Sequence, residues 1–234
     1  MDSYAMDICS YGFVMVNGNA NIIIKNIFGE YELLETLEYG ELVDCIVVDD
    51  ILYVADLDFG LRIIDITHEF FIAEIGDYFS GDGANKLLYQ DNKIYLMNQG
   101  GLQIINVSNP AYPSIESQIY FEGMKDFDIL GDFLYCIDDM ILKIYNLQEN
   151  NIEISETLIT ETATSVSISN TVLIISNSNQ EIVAYNIVDK SSPQYLHSWY
   201  LNDEIRDIEL IQNYVFVANS FDGFLIQRIE ENLE

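Results

Sequence analysis

The sequence predicts an all-β chain: a six-bladed β-propeller of four-stranded antiparallel blades, the last blade three-stranded. Three observations predict it. A hydrophobic segment ending in Asp or Asn recurs six times, at spacings of 39, 42, 40, 39 and 42 residues. A second apolar segment follows each copy nine or ten residues on and keeps step with it. No apolar stripe of helical period interrupts them.

The first recurring segment lies at 12–17, 51–56, 93–98, 133–138, 172–177 and 214–219. The second lies at 22–27, 61–66, 102–107, 142–147, 182–187 and 224–229; its fifth residue is Asn or Asp in five copies and Arg228 in the last. Val, Ile, Leu, Tyr and Phe dominate both, so both read as strands. A further strand precedes each pair, beginning at 6, 43, 85, 125, 164 and 206. Polar turns such as Asp49-Asp50, Asp91-Asn92 and Gly131-Asp132 join it to the next strand. A fourth strand closes most repeats, at 31–39, 71–79, 114–121 and 195–201.

Burial gives the physical reason for a propeller. These strands are apolar on both faces more often than they alternate, so each sheet needs cover on both sides. Radial stacking supplies that cover. The three prolines, Pro110, Pro113 and Pro193, all fall after a third strand, where they spare the ladder. The expected organisation is one domain, 1–234, with blades near 1–39, 40–80, 81–123, 124–160, 161–202 and 203–234. Only five residues follow the third strand of blade six, which leaves that strand as an edge able to pair with another chain. Arg228, Glu230 and Glu231 are placed to guard it by charge.

The repeat resembles the LVIVD-repeat β-propeller family. Residues 51–66 and 93–113 carry the resemblance, the latter through Gly100-Gly101-Leu102 and the Ser108-Asn109-Pro110 turn. Blades 1, 4 and 6 depart from this pattern in whole or part. The resemblance implies a repeat scaffold and carries no catalytic residues to transfer.

Composition excludes several function classes. Half of the 234 residues are hydrophobic and 12% aromatic, which excludes global disorder. The 39 acidic against 9 basic residues, a formal charge of −30, repel phosphates and anionic lipid heads, so no nucleic acid partner and no basic membrane contact is expected. No apolar run approaches the roughly 18–20 residues of a membrane span, so no membrane insertion is expected. The two histidines, His68 in a loop and His197 in an outer strand, are too few and too far apart for a Ser-His-Asp triad or a three-His metal site. Cys9, Cys45 and Cys136 sit singly in apolar runs and read as buried free thiols. Together with an N-terminus lacking signal features they favour a cytoplasmic compartment, although a secreted chain whose leader has been removed would read the same way.

The candidate site residues are acidic. At the matched position of each leading strand the repeats place Asp7, Asp44, Lys86, Asp126, Ser165 and Asp207, expected at a central channel mouth, with Asp128 and Glu209 two residues further on. Two readings stay open: these carboxylates cap backbone amides, or they hold Ca²⁺, which takes six to eight oxygens. Asp56, Asp58, Asp82, Asp138, Asp139 and Asp222 are expected on acidic top-face loops able to steer a basic partner. Phe70, Phe71, Tyr78, Phe79 and Trp199 read as rings buried in strands, with partner anchors the alternative. The expected function is a non-catalytic protein-interaction scaffold, its partner a protein with a basic surface or one that donates a strand to blade six. The alternative is a metal-dependent propeller hydrolase or lactonase using channel carboxylates.

Overall fold

Six antiparallel sheets form the blades of a β-propeller in the computed structural model, which describes residues 5–10, 12–26, 32–37, 40–68, 71–148, 151–159, 161–220 and 223–229, with the side chains of 32–36 excepted. Among the described residues all regular structure is strand, and no helix is long and apolar enough to cross a membrane. The chain divides into two compact units, 1–122 and 123–234, each holding three blades.

In the first unit, blade one pairs β1 (Ala5–Cys9), β2 (Gly12–Asn17), β3 (Asn21–Asn26) and β4 (Glu32–Thr36) in chain order. Blade two follows with β5 (Leu42–Val48), β6 (Ile51–Asp56), β7 (Gly60–His68) and β8 (Phe71–Phe79). Blade three has β9 (Lys86–Gln90), β10 (Lys93–Asn98), β11 (Gly101–Asn106) and β12 (Ser114–Tyr120). In the second unit, blade four comprises β13 (Asp126–Leu130), β14 (Phe133–Ile137), β15 (Ile141–Asn146) and β16 (Ile152–Leu158). Blade five comprises β17 (Ala163–Ser169), β18 (Val172–Asn177), β19 (Glu181–Asn186) and β20 (Gln194–Tyr200). Blade six has three strands, β21 (Ile205–Ile211), β22 (Tyr214–Asn219) and β23 (Phe224–Arg228). The guard residues Glu230 and Glu231 lie outside the described residues.

Local chemistry sets the hairpins. Asp49 and Asp50 take φ of 50° and 57°, and Asp91 and Asn92 take 52° and 60°. Two successive left-handed residues make the turn whose twist matches the strands, and Asp and Asn tolerate it best after Gly. Between third and fourth strands a register shift recurs at Ile63/Ile64, Ile104/Ile105, Ile144/Tyr145 and Ala184/Tyr185. Such a bulge adds twist to the outer part of each blade. His68 closes β7 opposite Phe71, so it belongs to a strand and not to the expected loop.

Alternate residues of one strand bury against two different neighbours. In blade two, Leu52, Val54, Ile64 and Ile66 pack with Val14, Val16, Ile22 and Ile24 of blade one. Tyr53, Ala55, Leu61 and Ile63 pack with Leu87, Ile94, Leu96 and Ile105 of blade three. Blade five does the same in its unit. Leu173 and Ile175 face Ile137, Leu142 and Ile144 of blade four, and Ile174, Ile182 and Ala184 face Ile208, Val215 and Val217 of blade six. All three cysteines are buried and free.

Ile63, fully buried, and Ile115, about half exposed, separate core from surface. Ile63→Ala removes packing at the blade two–three interface and is expected to cost about 2–5 kcal/mol. Ile115→Ala is expected to stay within about 0.5 kcal/mol. Urea unfolding midpoints check both.

Candidate functional site

The polar groups at the blade edges come from two recurring positions. The first is the leading strand. Each leading strand is the free edge of its sheet, so half of its amides need partners from outside the sheet. The neighbouring blade provides them. Within the first unit, the Val47 amide donates to Asp7 Oδ2 at 2.7 Å and the Leu87 amide to Asp44 Oδ2 at 2.9 Å. Within the second, the amides of Val166 and Ile168 donate to Asp126 Oδ2 and Asp128 Oδ2, each at 2.9 Å. The amides of Leu210 and Gln212 donate to Ser167 Oγ and Ser169 Oγ at 2.9 and 3.0 Å. The other carboxylate oxygen holds the carboxylate in place. Oδ1 of Asp7, Asp44, Asp128 and Asp207 accepts the amide of the following residue at 2.7–2.9 Å.

Register corrects one member of the expected set. Asp44, Lys86, Asp126, Ser165 and Asp207 face Ala55, Met97, Ile137, Ser176 and Ala218, each just before the Asp or Asn that ends its second-strand segment. In blade one that place, opposite Val16, belongs to Ala5. Asp7 faces Val14, one pleat repeat further on, in the row of Asp128 and Ser167. A two-residue offset keeps the same face of the strand, so composition alone does not reveal it. Ser167 and Ser169 act here without having stood out in the sequence, because a serine in a strand carries no signal of its own.

Among the described residues, no three His, Cys, Asp or Glu come together in a group able to hold a metal ion. A cation at these carboxylates would compete with the backbone amides they accept. The same carboxylates act on the thiols. Burial, then Asp44 and Asp7, raise the Cys45 thiol well above its ordinary value; burial, then Asp126, do the same to Cys136. Both therefore remain protonated and unreactive.

The second position is the Asp or Asn at each strand end. Oδ1 of Asn17, Asp56, Asn98, Asp138 and Asn177 accepts the amide two residues on, at 2.8–3.0 Å. Asp65, Asn146 and Asn186 repeat the device after the third strand, at 2.9 Å in each. Only an acceptor on a short side chain is required, which explains why Asp and Asn alternate at these corners.

Asp56 is not the surface group expected of it. It is fully buried, with Arg62 Nε 2.6 Å from Oδ2 and the Glu41 amide 3.2 Å from Oδ1. Arg62 reaches Glu74 at 3.2 Å and lies over the Phe59 ring. Asp58, Asp82 and Asp139 are exposed, and Asp138 is half-buried. Lys125 pairs with Asp139 at 3.2 Å. Asp222 and Phe70 lie outside the described residues. Phe71 and Phe79 are 64% and 62% exposed, which corrects their reading as buried rings. They sit on β8, an outer strand with no sheet neighbour beyond it. Tyr78 and Trp199 are half-buried, and Trp199 stacks on His197.

A cleft of about 550 Å³ opens in the first unit, lined by Asp82, Gln99, Gly100, Tyr120 and Glu122. Each wall is pinned. Gly100 donates to Asn98 Oδ1 at 3.0 Å, and its carbonyl accepts the Phe121 amide at 3.3 Å. Gly101 has φ +126°, and a Cβ there would meet the Ile119 carbonyl oxygen at 2.2 Å, so only glycine fits. The Ser80–Gly83 connector that carries Asp82 is tied down by Ser80 Oγ donating to the Gly83 carbonyl. The Gln103 side-chain amide also donates to the Ser80 carbonyl, at 3.2 Å.

The LVIVD repeat family matches residues 40–78 and 91–120, which span most of blades two and three. Blades two and three of this β-propeller carry the LVIVD repeat. Blades one, four and five share the same strand order and the same corner chemistry. A search of curated proteins returned no match. Solved structures share the fold at low identity. A chain of the mitotic checkpoint complex aligns with TM-score 0.78 and 10% identity, over 94% of this propeller and 73% of that chain. The computationally designed Ika8 protein aligns with TM-score 0.77 and 12% identity, over 97% and 71%. The Pan2 WD40 domain of Neurospora crassa aligns with TM-score 0.76 and 14% identity, over 97% and 77%.

Two predictions follow from the acceptor geometry. Asp126→Ala leaves the buried Val166 amide without its acceptor and is expected to cost about 1–3 kcal/mol. Asp126→Asn, which keeps an acceptor oxygen, should cost less; unfolding midpoints and the hydrogen-exchange rate of the Val166 amide read the difference. The Asp65 carboxyl is held below its ordinary value by the Thr67 amide and then the Thr67 hydroxyl. A depressed carboxyl contributes stability above its unfolded value of about 3.9, and that contribution is lost as pH falls through the lower folded value. Asp65→Asn keeps the acceptor but does not titrate. Its melting temperature should therefore fall less than that of the parent chain between about pH 5 and pH 3.

Proposed function

We propose that this propeller is a non-catalytic interaction scaffold whose partner is a protein with a basic surface. The observation that carries the reading is the presentation of negative charge. Carboxylates stand at hairpin corners whose backbone is fixed by side-chain-to-amide bonds, on a chain of formal charge −30. A rigid acidic surface speeds the arrival of a basic partner and loses that advantage in salt. One solved structure of the same fold is a chain of a protein complex, the mitotic checkpoint complex.

Blade six offers the partner a second foothold. Among the described residues β23 has a strand neighbour on one side only, and Phe224, Leu225 and Ile226 are 61%, 37% and 53% exposed. An extended segment of the partner, basic in flank and apolar in alternate positions, pairs along this edge in the proposed complex.

The test is affinity capture from the native source, followed by direct titration of the identified partner. The expected partner is basic, and its association rate falls at least about tenfold between 0.05 and 0.5 M salt. Asp58→Lys/Asp139→Lys should slow association, and Phe224→Lys/Ile226→Lys should speed dissociation. An acidic partner, or an association rate indifferent to salt, overturns the reading.

A further inference from the structure

Blade six departs from the other blades at its outer edge in sequence as well as in strand number. In blades two to five the third strand closes on Asp65, Asn106, Asn146 or Asn186, and the side-chain oxygen of each accepts the amide two residues on, at 2.9–3.0 Å. That bond starts the turn by which the chain returns as its own fourth strand. Blade six has Arg228 at this place. A guanidinium carries five donors and no acceptor, so it cannot make that bond. The strands β7, β11, β15 and β19, each paired on both edges, are mostly buried, whereas every residue of β23 is exposed.

The covered blades show what such an edge accepts. In three of them a glutamate near the start of the outer strand meets a cation from inside the blade. Arg62 reaches Glu74 at 3.2 Å, Lys93 reaches Glu116 at 2.6 Å, and Lys143 reaches Glu153 at 3.0 Å. Each glutamate lies one or two residues beyond the residue that faces Asp65, Asn106 or Asn146. Asn106, which holds the place of Arg228, itself donates to Glu116 at 2.8 Å. Among the described residues the Arg228 side chain takes no ion pair and no hydrogen bond. An unanswered arginine on an open strand edge is complementary to one carboxylate on the strand that covers it. The other end of the pairing calls for bulk. Leu61, Leu102 and Ile182 face Tyr78, Ile119 and Trp199 of their outer strands, and Phe224 holds the matching place on β23.

We propose that an extended segment of the partner becomes the fourth strand of blade six, antiparallel to β23, with a glutamate near its start against Arg228 and a large apolar residue near its end facing Phe224. The proposal rests on the reading of the propeller as a scaffold for a basic partner and gives that partner's segment its direction, its register and one acidic residue between its basic flanks.

The probe is a synthetic peptide, Ac-Lys-Lys-Ser-Ile-Glu-Ser-Gln-Ile-Tyr-Lys-amide, which copies residues 114–120 between lysine flanks. One twin carries glutamine for glutamate. A second carries two prolines for the Ser-Gln pair, one of which must donate to the ladder. Each is titrated into the full chain by NMR at up to millimolar concentration. The parent peptide is expected to shift the amides of 224–228 and to slow hydrogen exchange at alternate ones, and the proline twin to leave them in place. Arg228→Gln should weaken the glutamate peptide about two- to fivefold and leave the glutamine twin unchanged. Lys125→Gln removes the same charge from another exposed position and should weaken neither. Equal weakening of both peptides by Arg228→Gln, or of the glutamate peptide by Arg228→Gln and Lys125→Gln alike, assigns the effect to the diffuse field of the chain and overturns the proposal. So does undiminished binding of the proline twin, a shift confined to other blades, or no shift at millimolar peptide. These last outcomes need no altered protein. The scaffold reading fails separately: a captured partner that binds in a salt-dependent way but ignores Phe224→Lys/Ile226→Lys leaves the scaffold standing and removes the added strand, whereas a partner indifferent to salt removes the scaffold whatever the peptide does.

Discussion

Burial of both faces of a sheet is the constraint on which the rest of this structure depends. A strand such as β6 cannot be soluble on either side, because Leu52 and Val54 leave one face and Tyr53 and Ala55 the other. Neither face can be satisfied within its own blade. Within each unit a blade therefore supplies part of the core of its neighbour, and the stability of one repeat is in large part the property of an interface. That is why the repeat length is held so closely while loop sequences vary.

Stacking sheets on their faces leaves a different problem at their edges. A leading strand has a sheet neighbour on one side and unpaired amides on the other. Aspartate and serine from the preceding blade meet these amides within each unit, so polar bonds align the blades that apolar contact holds together. Apolar packing is indifferent to small slides of one sheet over another, whereas a bond of 2.7–2.9 Å is not. The carboxylates that stood out as candidate metal or partner ligands thus have a role in fixing register. They also leave the outward-facing acids, on turns of defined shape, as the groups available to a partner.

The fold was legible because it rests on pattern. Strand-length apolar runs, turn residues and a steady period identify the blades; the fourth strand of blade four, Ile152–Leu158, shows least in sequence, because Glu153, Ser155 and Glu156 dilute the apolar signal. The site was legible only in part. The offset of Asp7 escaped notice because a strand of period two gives the same pattern when moved by two residues. The burial of Asp56 depends on Arg62, six residues away and folded back by the very turn that Asp56 makes. Phe71 and Phe79 look like core residues in sequence, but an outer strand has a neighbour on only one edge and its far side meets solvent. The cleft joins a connector, a hairpin and a strand end from three separate stretches of chain, and no local pattern announces such a meeting.

The Asp and Asn corners have an implication for how such a chain varies over evolutionary time. Because the turn asks only for an oxygen, exchange between the two residues changes the electrical character of the molecule by one unit while the backbone stays put. Corners that reach solvent are thus neutral ground on which selection can retune the potential of the whole protein, one step at a time, without trading away foldedness. Buried corners are not neutral. At Asp56 the charge answers a buried arginine, at Asn177 the amide nitrogen donates to Glu181, and at Asn17 and Asn98 an aspartate would bury a new charge. Drift should accumulate at Asp65, Asn146 and Asn186 and stall at these four.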